Sequence, residues 1–487
     1  MSLAARNRVV RRIAIAVAGA LLLTHCAKNP VSGDKDFVLM SEQQEIQMGA
    51  QAHKDVLQEY GVLDNPQLQA YVTRVGKALA AKSHRPHLDW HFTVVDSPEV
   101  NAFALPGGYI YITRGIMAYL NSEAELAGVM GHEIGHVTAR HGVRQQSAAT
   151  AAGLGAILGS ILIPGMDNQA GATLLQQLTQ SLVAGYGREH ELESDRLGAE
   201  YLAKTAYNPQ AMVEVIGVLK NQELYDIELA KKEGREPRRY HGLFDTHPSN
   251  DTRLKQVVGE ANKYKVANPR EGREEFIQAM NGVYFGDSPD QGVIRSNALL
   301  HEKLGIAVQF PQGWRVQNQS DRVVAINPQS TAMVELKQGP KNAQPIDTLQ
   351  KNLKLDKGAR YEEGSINGNP AAFAAGAKQG KPVLVAAINF NNAQYLLAGM
   401  AKDGATYNQN RNAMKSSINS FRALSQQERN LARPHVIRVI QAQPGMTMAS
   451  LAMQSPLGAS AEPQLRLMND LYPSGEPKPG QLIKIVQ

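Results

Sequence analysis

Between residues 126 and 137 apolar side chains recur at helical spacing, with Leu126, Val129, Met130, Ile134 and Val137 on one stripe. Ser122-Glu123-Ala124-Glu125 has the form of a capping box ahead of that stripe, and Gly142 follows it as the expected stop. Gly128, Gly131 and Gly135 each cost about 1 kcal/mol relative to Ala inside a helix, so a second element is expected to pack closely against this one. Upstream the period changes. Phe103 to Leu105 and Tyr109 to Thr113 flank Pro106-Gly107-Gly108 as two short strands around a turn, and Trp90 to Val95 read as a loop entering a strand. The insert from Ser147 to Ile163 is rich in Ala, Gly, Leu and Ile and is read as a buried or cleft-covering helix, a candidate lid, with membrane contact as the alternative.

Beyond the polar stretch at Gly286-Asp287-Ser288-Pro289-Asp290, the chain shows short β-like runs such as Gly305 to Phe310, Val323 to Ile326 and Val383 to Phe390. Helical patterns near 346–354 and 407–421 accompany them. From His435 to the end the pattern is strand, two short helices, strand. The expected fold is multidomain: a mostly α-helical domain with a small β-sheet over 41–265, a linker over 266–299, an α+β accessory domain over 300–422, and a small βααβ module over 430–487.

The start of the chain predicts its compartment. Arg6, Arg8, Arg11 and Arg12 form a basic segment, and Ile13 to Leu23 an apolar one too short to span a membrane. Leu23-Thr24-His25-Cys26 then reads as a lipoprotein cleavage box, giving a signal peptide over 1–25 and a lipid-anchored tether over 26–40. Cys26, the sole cysteine, would carry the lipid, which leaves none for disulfides. The leader also explains the basic balance: 51 basic residues less its four stand against 45 acidic ones, a remainder of +2. Charge therefore gives no support for nucleic acid as a partner.

The chemistry centres on His132-Glu133-Ile134-Gly135-His136. On a helix, His132 and His136 project from one face about one turn apart and can hold one metal ion together. Glu133 is displaced around the helix, where a carboxylate can act as general base on a water at that metal. Zinc sites of this kind take a third protein ligand. Glu191 and Asp195, four apart on one helical face, supply a candidate: Glu191 as ligand, and Asp195 holding a ligand imidazole by its far N–H. Glu193 is expected to be indifferent for metal binding, because only Glu191 has the required relation to Asp195 and Arg196. His84, His87 and His91 are expected to be loop and strand residues, and His141 a helix C-terminal residue interacting with the dipole.

His132 to His136 together with Glu191-x-x-x-Asp195-Arg196-x-Gly198 resembles the HtpX-like and CAAX-prenyl-protease family of gluzincin zinc metallopeptidases, in its bacterial periplasmic lipoprotein branch. The resemblance implies a zincin catalytic domain and one Zn2+ per chain. Asn101-Ala102-Phe103-Ala104-Leu105-Pro106-Gly107-Gly108 resembles that family's edge-strand motif, which implies that Asn101, Ala102, Phe103 and Ala104 bind substrate. An extended peptide added to such an edge is gripped by its backbone largely regardless of sequence. Thr246-His247-Pro248 with Arg253 resembles a downstream segment, implying that His247 and Arg253 stabilise the oxyanion; alternatively His247 sits on the zinc in a resting state. Asn29-Pro30-Val31-Ser32-Gly33 resembles the stretch after the lipid-bearing cysteine, and Ala27 favours the outer membrane by resemblance to lipoprotein sorting. The final module, with Pro444-Gly445-Met446-Thr447, Asn469 and Pro479-Gly480, resembles a LysM-like fold, although Met446 stands where such modules usually carry Asp.

The expected function is a zinc endopeptidase of the cell envelope, in the periplasm, cleaving protein or unfolded polypeptide substrates, misfolded or misassembled envelope proteins among them. The alternative is a chaperone-like or peptidoglycan-associated binding factor with a gated zinc site, attached to an envelope assembly machine.

Overall fold

The computed structural model describes residues 26–38, 40–145, 147, 148, 187–233 and 250–487; of residues 26, 27, 37 and 250–255 it describes the backbone alone. Residues 149–163 of the insert read as a lid and the whole of the signal peptide over 1–25 lie outside the described residues. A short antiparallel hairpin, β1 (Cys26–Lys28) and β2 (Lys35–Phe37), precedes two helices, α1 (Glu42–Tyr60) and α2 (Pro66–Ala80). Both helices begin on capping side chains. Ser41 and Gln44 form a reciprocal box on α1, and Asn65 accepts from the Leu68 amide ahead of Pro66 on α2.

A three-stranded sheet follows, from β3 (His91–Val95), β4 (Ala102–Leu105) and β5 (Tyr109–Thr113). Its order is β3-β5-β4, with β3 parallel and β4 antiparallel to the central β5. β4 is thus an edge strand, with no strand on its outer side among the described residues.

Helix α3 (Glu123–Thr138) starts at Ser122, whose hydroxyl accepts from the Glu125 amide at 3.0 Å. Only half of the expected box forms, because the Glu125 carboxylate reaches one residue further back to the Asn121 amide at 2.8 Å. The helix also ends earlier than Gly142 suggests. Arg140 adopts a left-handed φ of 58° and breaks it, anchored by its guanidinium to Glu45 at 2.9 Å and to the Met40 carbonyl at 3.0 Å. Rather than burying one stripe, α3 is buried at every position. The face carrying the histidines is covered by α4 (Arg188–Lys204), and α5 (Ala211–Glu233) and α6 (Asn250–Ala261) complete this helical layer.

The segment expected to be a linker is folded. Helix α7 (Arg273–Ala279) packs Phe276 and Ile277 into the same core as α3, and β6 (Tyr284–Phe285) pairs with the C-terminal module. Strands β7 (Val293–Arg295), β8 (Ala298–His301) and β9 (Ile306–Gln309) belong to a four-stranded sheet closed by Arg422 and Ala423. Residues 315–401 form a seven-stranded antiparallel sheet covered by α8 (Gly404–Asn419), with its own apolar core. No helix among the described residues is long and apolar enough to cross a membrane.

The C-terminal segment runs β10 (His435–Gln441), α9 (Met448–Ala452), α10 (Ala461–Met468) and β11 (Leu482–Val486); β10 and β11 pair antiparallel. It is not a separate bead. Ile437, Leu465, Met468, Ile483 and Val486 join the core that contains α3. Lys484 is fully buried and donates through Nζ to the carbonyls of Ala118, at 2.9 Å, and Leu120, in the turn that leads into α3. Burial draws the Lys484 ammonium down and pushes the neighbouring Glu125 carboxyl up. Lys484→Ala removes both hydrogen bonds and opens a cavity, and is expected to destabilise the core around α3 by about 2–4 kcal/mol. A thermal unfolding midpoint equal to wild type would show that the module does not support that core.

Candidate metal centre

Two helices meet where their sequences are smallest. A Cβ at Gly131 would stand 3.2 Å from the Gly198 Cα, and one at Gly135 would stand 3.1 Å from the Ser194 Cα. The close approach foreshadowed by these glycines is therefore to α4, and it brings Glu191 and Asp195 over the histidines. Glu191 lies in the first turn of α4, where the helix dipole favours a carboxylate. Gly187, at the N-cap, contributes no side-chain hydrogen bond. Gly135→Val is expected to force α3 and α4 apart, costing about 1–3 kcal/mol and weakening metal binding. Unchanged metal affinity in a folded variant would uncouple the helix spacing from the site.

His132, His136 and Glu191 offer ligand atoms that all lie within 4.8 Å of one another, and all three are buried. The two Nε2 atoms are 3.0 Å apart, and each lies 3.5 Å from a Glu191 carboxylate oxygen. Atoms bound to a tetrahedral zinc at 2.0–2.1 Å stand about 3.3 Å from one another; the two imidazole nitrogens stand close to that spacing, and each has its own Glu191 oxygen near it, Oε2 for His132 and Oε1 for His136. The protonation pattern agrees. Asp195 Oδ1 accepts from His132 Nδ1 at 2.9 Å, which leaves His132 Nε2 bare and facing the other two acceptors. Two imidazoles and a carboxylate converging in a buried site form a donor set that a cation can take. Two nitrogens and one carboxylate oxygen suit zinc. No other grouping of this kind occurs among the described residues. Glu133 is buried beside them on α3.

His141 departs from expectation. It is buried, not set at an exposed helix end, with Nδ1 3.0 Å from His136 Nδ1 and Nε2 3.0 Å from Glu193 Oε2. Burial lowers its pKa, and the His141 hydrogen bond holds Glu193 below the usual carboxylate range. The ring of His190 stacks on His141 at 4.2 Å, and burial pulls His190 down to about 4. The cluster of His84, His87 and His91 is dispersed: His84 meets the Tyr201 hydroxyl at 2.7 Å, His87 meets Glu42 at 3.0 Å and His91 meets Asp89 at 3.2 Å.

The edge strand borders the metal cluster. Ala104, Leu105 and Pro106 line a small cleft together with His136, Val137 and Arg140. Ala102 pairs with Ile112 and Phe103 with Tyr111, the Phe103 ring stacking on Tyr111 at 4.8 Å. Asn101 is buried at the head of the strand, its carbonyl accepting from the Thr113 amide at 3.1 Å. His247 lies outside the described residues, as does the side chain of Arg253, and for Cys26 the backbone alone is described, in β1.

Residues 66–261 match the family model described as Peptidase family M48. The chain is 29% identical over 303 residues to the beta-barrel assembly-enhancing protease of Yersinia pestis, covering 58% of this chain and 59% of that one. It is 31% identical over 274 residues to the protein of the same name from Escherichia coli, covering 55% and 52%. The mitochondrial metalloendopeptidase OMA1 of Arabidopsis thaliana is 32% identical over 207 residues, covering 41% and 37%. The chain thus spans little more than half the length of these bacterial relatives. The two histidines, Glu191 and Asp195 all lie inside the span that matches the Peptidase family M48 model.

Proposed function

We propose that this chain is a zinc-dependent endopeptidase of the bacterial cell envelope, hydrolysing peptide bonds of unfolded or misassembled envelope proteins. The observation that carries the reading is the buried His132, His136 and Glu191 cluster set beside β4, the edge strand of its sheet among the described residues. One zinc ion would be held by these three residues; when bound, it lowers the pKa of a water toward neutrality and polarises a carbonyl. Glu133 takes the proton of the attacking water on its carboxylate and returns it to the leaving amine. Asp195 keeps the His132 proton on Nδ1, so that Nε2 stays available. Residues Asn101 to Ala104 receive the substrate as an added strand, reading backbone in preference to side chains. His247 and Arg253 stabilise the developing oxyanion, as their resemblance to the family's His-Pro segment implies.

Localisation belongs to the same proposal. The names of the bacterial relatives, beta-barrel assembly-enhancing proteases, support an envelope setting and substrates tied to outer-membrane assembly. Cys26 anchors the mature chain by lipid, probed by labelled palmitate: wild type takes it up, and Cys26→Ser accumulates as unlabelled precursor. A soluble, unlabelled wild-type protein would refute the anchor. The C-terminal module serves as a structural cap, or as a glycan-binding element if its LysM-like character extends to function.

The activity is tested with purified mature protein on casein. Cleavage is expected with zinc bound, to stop on chelation and to return with zinc. Stoichiometric zinc without cleavage of casein or of any unfolded envelope protein would favour the binding-factor alternative.

A further inference from the structure

We infer that His141 and Glu193 form an orienting relay for His136: Glu193 accepts from His141 Nε2–H, and His141 Nδ1 accepts from His136 Nδ1–H, which leaves His136 Nε2 bare toward the metal position. The inference rests on the reading of His132, His136 and Glu191 as ligands. It adds two positioning residues that contribute no ligand atom themselves.

The assignment follows from what each partner can do. Glu193 Oε2 lies 3.0 Å from His141 Nε2, and a carboxylate only accepts, so the His141 proton sits on Nε2. The neutral ring then has a lone pair at Nδ1. His136 Nδ1 stands 3.0 Å from that lone pair, and the Ser194 hydroxyl stands 3.3 Å from it. The contact between the two Nδ1 atoms is a hydrogen bond only if His136 donates. His136 thereby carries its one proton on Nδ1, and its Nε2 faces His132 Nε2 at 3.0 Å and Glu191 at 3.5 Å without a proton. The two histidine ligands are thus oriented differently: His132 by Asp195 directly, His136 by a carboxylate acting through a second imidazole.

The relay depends on the break in α3. Five residues along an α-helix correspond to about 140° around the axis, so an unbroken helix would turn His141 away from His136. The left-handed Arg140 returns the chain and lays the His141 ring on α4, stacked against His190. Glu193 is itself held from two sides, by Arg144 at 3.4 Å and Arg196 at 3.9 Å. Glu193, expected from the sequence to be indifferent, therefore acts on the site at one remove.

The test measures zinc dissociation constants on the full mature chain by competition with a chromogenic chelator. Loss of an outer hydrogen-bond partner typically weakens metal affinity about 10–100-fold. His141→Phe keeps the ring stacking and removes the acceptor, and is expected to fall in that range. Glu193→Ala is expected to weaken binding, with partial rescue in Glu193→Gln, whose amide oxygen still accepts from His141 Nε2–H. Selective 15N-histidine NMR on the zinc-loaded protein supplies a signature that a merely structural role would not move: His141 should be the Nε2–H tautomer in wild type and lose that preference in Glu193→Ala. Zinc affinity within twofold of wild type in folded His141→Phe and Glu193→Ala would overturn the relay, as would a wild-type His141 protonated on Nδ1. His136→Ala is the control: undiminished zinc binding there would remove the ligand assignment itself, a failure distinct from that of the relay.

Discussion

Glu133→Gln is expected to lose proteolysis by at least a hundredfold while keeping its zinc. The amide has the shape of the carboxylate but cannot accept the proton of the attacking water, and positioned proton transfer typically contributes about 10²–10⁴ in rate. Glu133 is buried on a helix whose every residue is buried, and Gln preserves volume, so the fold should tolerate the change. The check is paired: zinc content by elemental analysis and digestion of an unfolded substrate on the same preparation. Parental activity in Glu133→Gln would show that another group takes the proton.

The second large effect falls on the ligands. His132→Ala, His136→Ala and Glu191→Ala each remove one of the three proposed ligands, whose ligand atoms lie within 4.8 Å of one another, and each is expected to lose most bound zinc and with it all measurable cleavage. Asp195→Ala should be milder, weakening zinc binding without removing a ligand, because it acts through His132 Nδ1. Equal zinc content in Glu191→Ala and wild type would move the third ligand elsewhere, with His190 the first place to look.

What could be read from the sequence was whatever local spacing determines. His132 and His136 share a helix turn, so their convergence follows from helix geometry. The strands around Pro106-Gly107-Gly108 were legible from their alternation and the turn residues between them, and Tyr109–Thr113 is the strand observed. The glycines of α3 announced a close neighbour, though not which one. His141 was misread because its position rests on one left-handed residue, Arg140, whose conformation is set by Glu45 and Met40 about a hundred residues away. No local signal carries that. The packing of the C-terminal module is likewise not legible locally: Lys484 and Ile483 read as part of a small βααβ module, and they pack against the turn before α3 and into its core. Apolar periodicity identifies which face is buried, not the partner that buries it.

Anomalous diffraction at the zinc edge from crystals of the mature protein tests the central claim most directly. The account predicts one strong peak bonded to His132 Nε2, His136 Nε2 and a Glu191 carboxylate oxygen at about 2.0–2.2 Å. A peak bonded to His141 or His190 in place of Glu191, or no peak from zinc-supplemented protein, would contradict it.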